Sequence, residues 1–299
     1  KRKPGIQNHL AWRSGHLGWK KSEWKTMHDW HLPGISVGCN RRANQNHQTD
    51  VYPLKPAIVI EKTRGIFLHA VKYSETSLIT TIYTEAFGRQ TFIINGVRSK
   101  NSTIKAAIFQ PLYLLDLEVY YKADREIHRL KNARISVPYT HIPFDIRKST
   151  QVLFLAEVLY KCLREEQPNP ELFEFSFHAF SLLDLTESGI SNFHLWFLFN
   201  LTRFLGISPN SENAAISNFF DLQSARFVSH EPSHHQFTDK HTTVLFTKLF
   251  DITHANIESL NYTNHDRQLL LEKLIEFYHI HFGNIGEFKS LEVLREILK

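Results

Sequence analysis

Histidines and carboxylates are the groups in this chain from which a metal or acid–base centre could be built, and there are 18 of the former and 30 of the latter. Spacing matters more than number. His279 and His281 are two residues apart, so on a helix they point to different faces, and His28 and His31 are an isolated pair. His230, His234 and His235 lie in a polar stretch near Glu231 and Asp239. They could hold Zn or Ni weakly, although scattered surface histidines are the commoner explanation. The two cysteines, Cys39 and Cys162, form no C-x-x-C, which disfavours a cysteine zinc site and a disulfide framework and fits a reducing cytoplasm. Glu165/Glu166 and Asp116/Glu118 are tight carboxylate neighbours, the first ending an amphipathic helix and the second on the outer side of a strand, where solvated surface is the better reading. Neither G-x-G-x-x-G nor G-x-x-x-x-G-K-[ST] occurs, so the standard nucleotide-cradling loops are missing. We read the chain as a protein without enzymatic activity, cofactor or metal.

The other chemistry on offer is electrostatic. Lys62, Arg64, Arg89, Arg98, Lys100, Lys105, Lys122, Arg125, Arg129, Lys131 and Arg134 are interleaved with Tyr73, Phe87, Phe109, Tyr120 and Tyr121. Cations neutralise phosphates while rings stack on unpaired bases, and that combination binds single strands with little sequence preference. An ordinary solvated surface over a core of aromatic rings would look the same. Net charge is +5 overall, but residues 1–60 carry +7, residues 61–138 carry +5 and residues 139–299 carry −7. A basic front and an acidic back steer a polyanion to one end of the molecule.

The elements that must position these side chains change in kind along the chain. Residues 1–60 hold four of the five tryptophans (Trp12, Trp19, Trp24, Trp30) among His, Gly, Asn and Lys without a sustained apolar period. They read as a disordered extension, or as upstream translation not native to the protein, rather than as a DNA-binding arm, and no apolar core of a secretory signal is present. From Gly65 to Val137 the period is two. Strands are expected at Gly65–Val71, at Ser77–Thr84 and Arg89–Ile94 about a Gly88 turn, at Leu112–Tyr121, and at Ile127–Val137 before Pro138. Five short strands with the longest connection between the third and fourth describe an OB-type barrel over residues 61–138, with an SH3-like barrel as competitor.

After Pro143 the period becomes helical, predicting an all-α domain over residues 139–299. Asp145 is expected to cap a helix ending near Gln167, and Asn169 with Pro170 to begin one ending at Gly189. Ser191 is expected to cap a nearly all-apolar helix ending at Gly206. Residues 207–238 read as an irregular connection anchored by Phe219-Phe220-Asp221-Leu222. Helices from Asp239 to Ile252, from Asn264 to His281 and from Ser290 to the end complete an α+β architecture. No uninterrupted apolar run of the helical half is longer than Leu195–Phe199, which is far short of the roughly 18 residues a membrane span needs.

Thr63-Arg64-Gly65-Ile66, Tyr73-Ser74-Glu75-Thr76-Ser77-Leu78-Ile79, Thr84 with Gly88-Arg89, Gly96-Val97-Arg98 with Ser102, and Gln110-Pro111-Leu112 follow in an order and spacing that resembles the barrel of the bacterial RecO family of DNA repair proteins. Phe219-Phe220-Asp221-Leu222, Tyr278-His279-Ile280-His281 and Lys289-Ser290-Leu291 are similar to that family's helical half, so the resemblance covers about residues 60–299. It implies a non-catalytic recombination mediator, cytoplasmic and nucleoid-associated. Such a protein binds single- and double-stranded DNA, anneals complementary strands, and works with RecR and single-stranded DNA-binding protein to load the recombinase RecA at gaps. Carried over by position, Arg64, Arg89, Arg98, Lys100 and Lys105 are the implied phosphate contacts, and Lys122 and Arg129 join them from the basic set. Many members hold zinc through four cysteines in the helical domain. Here only Cys162 falls there, so residues 207–238 are expected to hold together by packing. Two readings from other classes stand beside this one: a protein-interaction adaptor with the barrel as scaffold, and a metal-dependent hydrolase built on the loop histidines.

Overall fold

The computed structural model describes residues 60–299 apart from 98, 100–102, 123, 165–166 and 284. The basic extension over residues 1–59, and Arg98 and Lys100, therefore lie outside the described residues. Five strands, β1 (Ile60–Lys72), β2 (Leu78–Thr84), β3 (Gly88–Ile94), β4 (Leu114–Tyr120) and β5 (Ile127–Val137), close a barrel in the order β1-β2-β3-β5-β4. All neighbours are antiparallel except β3 and β5, whose parallel pairing of Thr91–Ile93 with Ile127–Arg129 makes the closure. Period-2 alternation places Phe67, Ile82, Phe92, Leu115, Leu117, Val119 and Leu130 inside. Gly65 sits where β1 crosses this core: a Cβ there would lie 2.7 Å from Ile82 and Leu117 side-chain carbons. Gly88 closes the β2–β3 hairpin at φ +65°, and the Thr84 hydroxyl donates to its carbonyl at 2.8 Å. The strand expected from Leu112 begins two residues later because Leu112 itself turns at φ +57°.

The helical half comprises α1 (Ile146–Cys162), α2 (Pro170–Leu185), α3 (Phe193–Phe204), α4 (Lys240–Lys248), α5 (Asn264–Phe282) and α6 (Leu291–Ile297). The caps Asp145 and Asn169 are where the sequence puts them, each accepting a backbone N–H of its first turn. α1 stops at Cys162, short of Gln167, with Leu163 already extended. Ser191 is not the cap of α3: a 3-10 turn at Ile190–Asn192 runs straight into the helix. α3 is buried nearly all round, and Trp196 packs between Phe193, Phe175 and the ring of His254.

Residues 207–238, expected to be irregular, contain a small antiparallel sheet of β6 (Phe219–Asp221), β7 (Arg226–Val228) and β8 (Phe237–Thr238), with β6 in the middle. Strands of two or three residues carry no readable period. Phe220 anchors this sheet against Phe227 at 4.9 Å, Phe246 at 4.5 Å and Phe277 at 6.2 Å between ring centroids.

Barrel and helices share one core within one compact unit. Ile66, Leu68, Tyr83, Leu112 and Leu114, on the outer side of the barrel, are buried together with Phe154, Leu155, Phe173 and Phe177 of the helices. The connection between the halves is held by Asp184 of α2. Its carboxylate accepts from the backbone N–H of Thr140, His141 and Ile142 at 2.7–2.8 Å, while Lys148 of α1 donates to its carbonyl at 2.7 Å. Burial alone would raise the Asp184 pKa, but these hydrogen bonds prevail and hold it below the usual carboxylate range.

Candidate nucleic-acid interface

Alternation along β5 decides where its cations go. His128, Leu130 and Ala133 point into the barrel, so Arg129, Lys131 and Arg134 stand on the exposed side. The register shift between Glu118 and Val119 of β4 lets Leu130 and Asn132 face successive residues there, which keeps Lys131 and Arg134 on one surface. Cross-strand neighbours on that surface are Tyr120, Glu118 and Asp116 of β4, then Lys62 and Arg64 of β1. Arg134 pairs with Asp116 and Lys131 with Glu118, both at 3.1 Å. Such exposed pairs contribute roughly 0–1 kcal/mol and open easily to a competing phosphate. Between the strands lies an open depression of about 450 Å³ bordered by Lys62, Arg64, Glu85, Asp116, Asn132 and Arg134. The β4–β5 connection adds Lys122 and Arg125 at the edge of this face. On the strands themselves this side carries Lys62, Arg64, Arg129, Lys131 and Arg134 against Asp116 and Glu118, while the connection that adds Lys122 and Arg125 also carries Asp124 and Glu126.

Two of the seven sequence-predicted contacts, Arg64 at the rim of this depression and Arg89 on β3, are engaged with groups of the helical half. Arg64 donates to Glu85 at 2.8 and 2.7 Å and to Glu174 of α2, and its guanidinium lies over the rings of Phe177 at 4.9 Å and Phe173 at 5.2 Å. The Glu85 hydrogen bond holds its proton more firmly than usual and keeps the Glu85 carboxyl below its ordinary range. Arg89 donates to the carbonyls of Tyr160 and Leu163, the last turn and cap of α1, and stacks on Tyr160 at 4.8 Å. Both join the barrel to the helices. Tyr83 does the same through Asn169 and Phe173. The outer face of β2 and β3, which OB barrels commonly offer to oligonucleotides, is therefore packed against protein where Tyr83 and Arg89 stand. Lys105 is exposed just before the 3-10 turn Ala106–Ile108, in the connection between β3 and β4. The structure brings Lys122 and Arg129 together with Lys62, Arg125, Lys131 and Arg134. Alternation along β5 was the signal for the last two.

The metal-ligand candidates are dispersed into packing roles. His234 faces Asp221 at 3.3 Å and accepts from the Gln236 N–H, while His279 and His281 hydrogen-bond to the carbonyls of Gly286 and Leu222. His230-Glu231-Pro232-Ser233-His234 spells H-E-x-x-H, a match that grouping the histidines by position passes over. The zincin signature needs both histidines on one helical face, whereas Pro232 lies in a stretch of bends and loop. Gly34-Ile35-Ser36-Val37-Gly38 likewise spells G-x-S-x-G and lies outside the described residues. Among the described residues no three His, Cys, Asp or Glu are grouped to hold a metal ion. Burial pushes the Cys162 thiol up to about 12, which makes it an inert core side chain. Among the described residues, too, no helix is long and apolar enough to cross a membrane.

Comparison with known proteins bears on the same two halves. Residues 59–139 match the family model described as "Recombination protein O N terminal" and residues 143–292 the one described as "Recombination protein O C terminal". The DNA repair protein RecO of Bacteroides fragilis is 36% identical over 240 residues, covering 80% of this chain and 99% of the relative. That of Phocaeicola vulgatus is 36% identical over 239 residues, with the same coverage. The Flavobacterium psychrophilum protein of that name is 35% identical over 238 residues, covering 79% of this chain and 98% of the relative.

Proposed function

The chain belongs to the RecO family of DNA repair and recombination proteins, and from that premise we propose that it is a non-enzymatic mediator holding DNA on the β1–β4–β5 side of its barrel. Lys62, Lys122, Arg125, Arg129, Lys131 and Arg134 contact the phosphates of single and double strands. The observation that carries this reading is the outward row of Arg129, Lys131 and Arg134 beside Lys62, on a face the helices leave uncovered. Backbone contacts of this kind carry no sequence information, so all sequences bind alike. Two strands whose charge is neutralised on one surface lose their mutual repulsion, and annealing of complementary strands follows. Work with RecR and single-stranded DNA-binding protein in loading recombinase at gaps, in the cytoplasm and close to the nucleoid, completes the function.

Anisotropy titration of labelled single-stranded DNA at several salt concentrations tests this. With four to six phosphates contacted, log K falls with log salt at a slope of about −0.7 per contact. Arg129→Ala with Lys131→Ala weakens binding and makes the slope shallower by about 1.4. Arg64→Ala lowers the unfolding midpoint while leaving the slope unchanged. Salt-independent binding, or an Arg64→Ala slope as shallow as that of the double variant, would contradict the assignment.

A further inference from the structure

At the β4–β5 end of the barrel four rings form a column running from the core to the surface. Phe92 is wholly buried; His128, 2% exposed, lies 6.0 Å from it. Tyr121 stacks on His128 at 4.7 Å and 25°, and Phe87 stacks on Tyr121 at 4.0 Å and 14°. Tyr121 and Phe87 are half-buried, and among the described residues Phe87 has no ring on its other face.

A polar relay fixes this column. The backbone N–H of Lys122 donates to His128 Nδ1 at 3.4 Å, which leaves Nε2 as the protonated nitrogen, and Nε2–H donates to Gln90 Oε1 at 3.0 Å. Gln90 Nε2 then donates to the Phe87 carbonyl at 2.6 Å. The same relay ties the β4–β5 connection, with Lys122 and Arg125, to the hairpin that carries Phe87.

Stacked aromatic rings inside a barrel need no such tether to the surface loops, because their burial alone holds them. Here the outermost ring stacks at 14° on Tyr121, and its backbone carbonyl is tied through the relay to the backbone of Lys122, one residue from Tyr121. We infer that the column is a pre-formed stacking platform that takes one unpaired nucleobase on the outer face of Phe87, with Lys122 and Arg125 reaching the phosphates on either side. This rests on the DNA-binding reading above and adds a base contact to it. A paired base cannot reach the platform, so it separates single from double strands on a surface whose phosphate contacts do not. Ordering the rings beforehand spares the cost of doing so on binding.

The test uses the full chain with two labelled single strands of equal length, oligothymidylate and the same backbone with abasic sites throughout. Wild type binds the thymidylate strand more tightly by roughly 5- to 150-fold, the range for one stacked base. Phe87→Leu removes that preference while leaving abasic binding and the salt slope unchanged, and Phe87→Tyr, which keeps the ring, retains it. Equal binding of both strands by wild type, or a preference surviving in Phe87→Leu, overturns the platform alone. Failure of wild type to bind either strand overturns the DNA-binding reading and the platform with it.

Discussion

Arg64 and Arg89 show what a residue's neighbours in sequence do not say about its partners. Both stand beside hairpin or strand residues where a solvent-facing cation is ordinary, but Glu174 lies 110 residues from Arg64 and the Leu163 carbonyl 74 from Arg89. Contacts so remote leave no periodic or spacing signal, whereas the outward side of Arg129 could be read from the alternation along β5. His194 is a further case: burial and the charge of Arg267 hold its imidazole neutral, with the pKa pushed down to about 3. The unfolded chain takes up that proton near pH 6.5 and the folded one does not, so its contribution to stability is full above pH 6.5 and declines as the pH falls towards 3. Urea unfolding between pH 7 and pH 5 should show stability dropping by up to about 1.4 kcal/mol per pH unit from this group. His69 and His254, also lowered by burial, act in the same direction. His194→Leu should therefore flatten the profile without abolishing it; an unchanged slope would mean that His194 is protonated in the native protein.

Among the elements, those with a sustained period were readable and those held by distant aromatic contacts were not. β5 spans the residues its alternation marks, and α5 runs one residue past its expected end at His281. α1 ends early because Leu163 turns extended and the open carbonyls are taken by Arg89 from the barrel. The β6–β8 sheet, too short for any pattern, owes its place to Phe220 between Phe227 and Phe246. Phe220→Ala empties a fully buried site at the junction of three elements, and we expect thermal and urea unfolding to report a loss of about 3–5 kcal/mol. A loss under 1 kcal/mol would mean that the sheet is not held by this ring.

For the whole molecule, the decisive fact is that the barrel has two buried faces on its β1–β2 side. The sequence carried a trace of this in Ile66-Phe67-Leu68 and Ile82-Tyr83, where consecutive apolar residues break the expected alternation, as strands covered on both faces do. What covers the outer face could not be read, because Phe173 and Tyr160 belong to helices whose packing no local pattern encodes. With Ile66, Leu68 and Tyr83 inside the helical core, barrel and helices should open together. Hydrogen exchange in the native state should give the slowest amides of β2 and of α3 the same opening free energy, and a gap of several kcal/mol between them would show two independent units. The burial of Trp196 within that core has an optical consequence. Four of the five indoles belong to the first 60 residues, so a chain beginning at Ile60 carries a single tryptophan, which can be excited apart from the tyrosines at the red edge of its absorption and is seated against an imidazole that quenches it once protonated. Its emission reads the state of the helical half from one fixed point, without a dye.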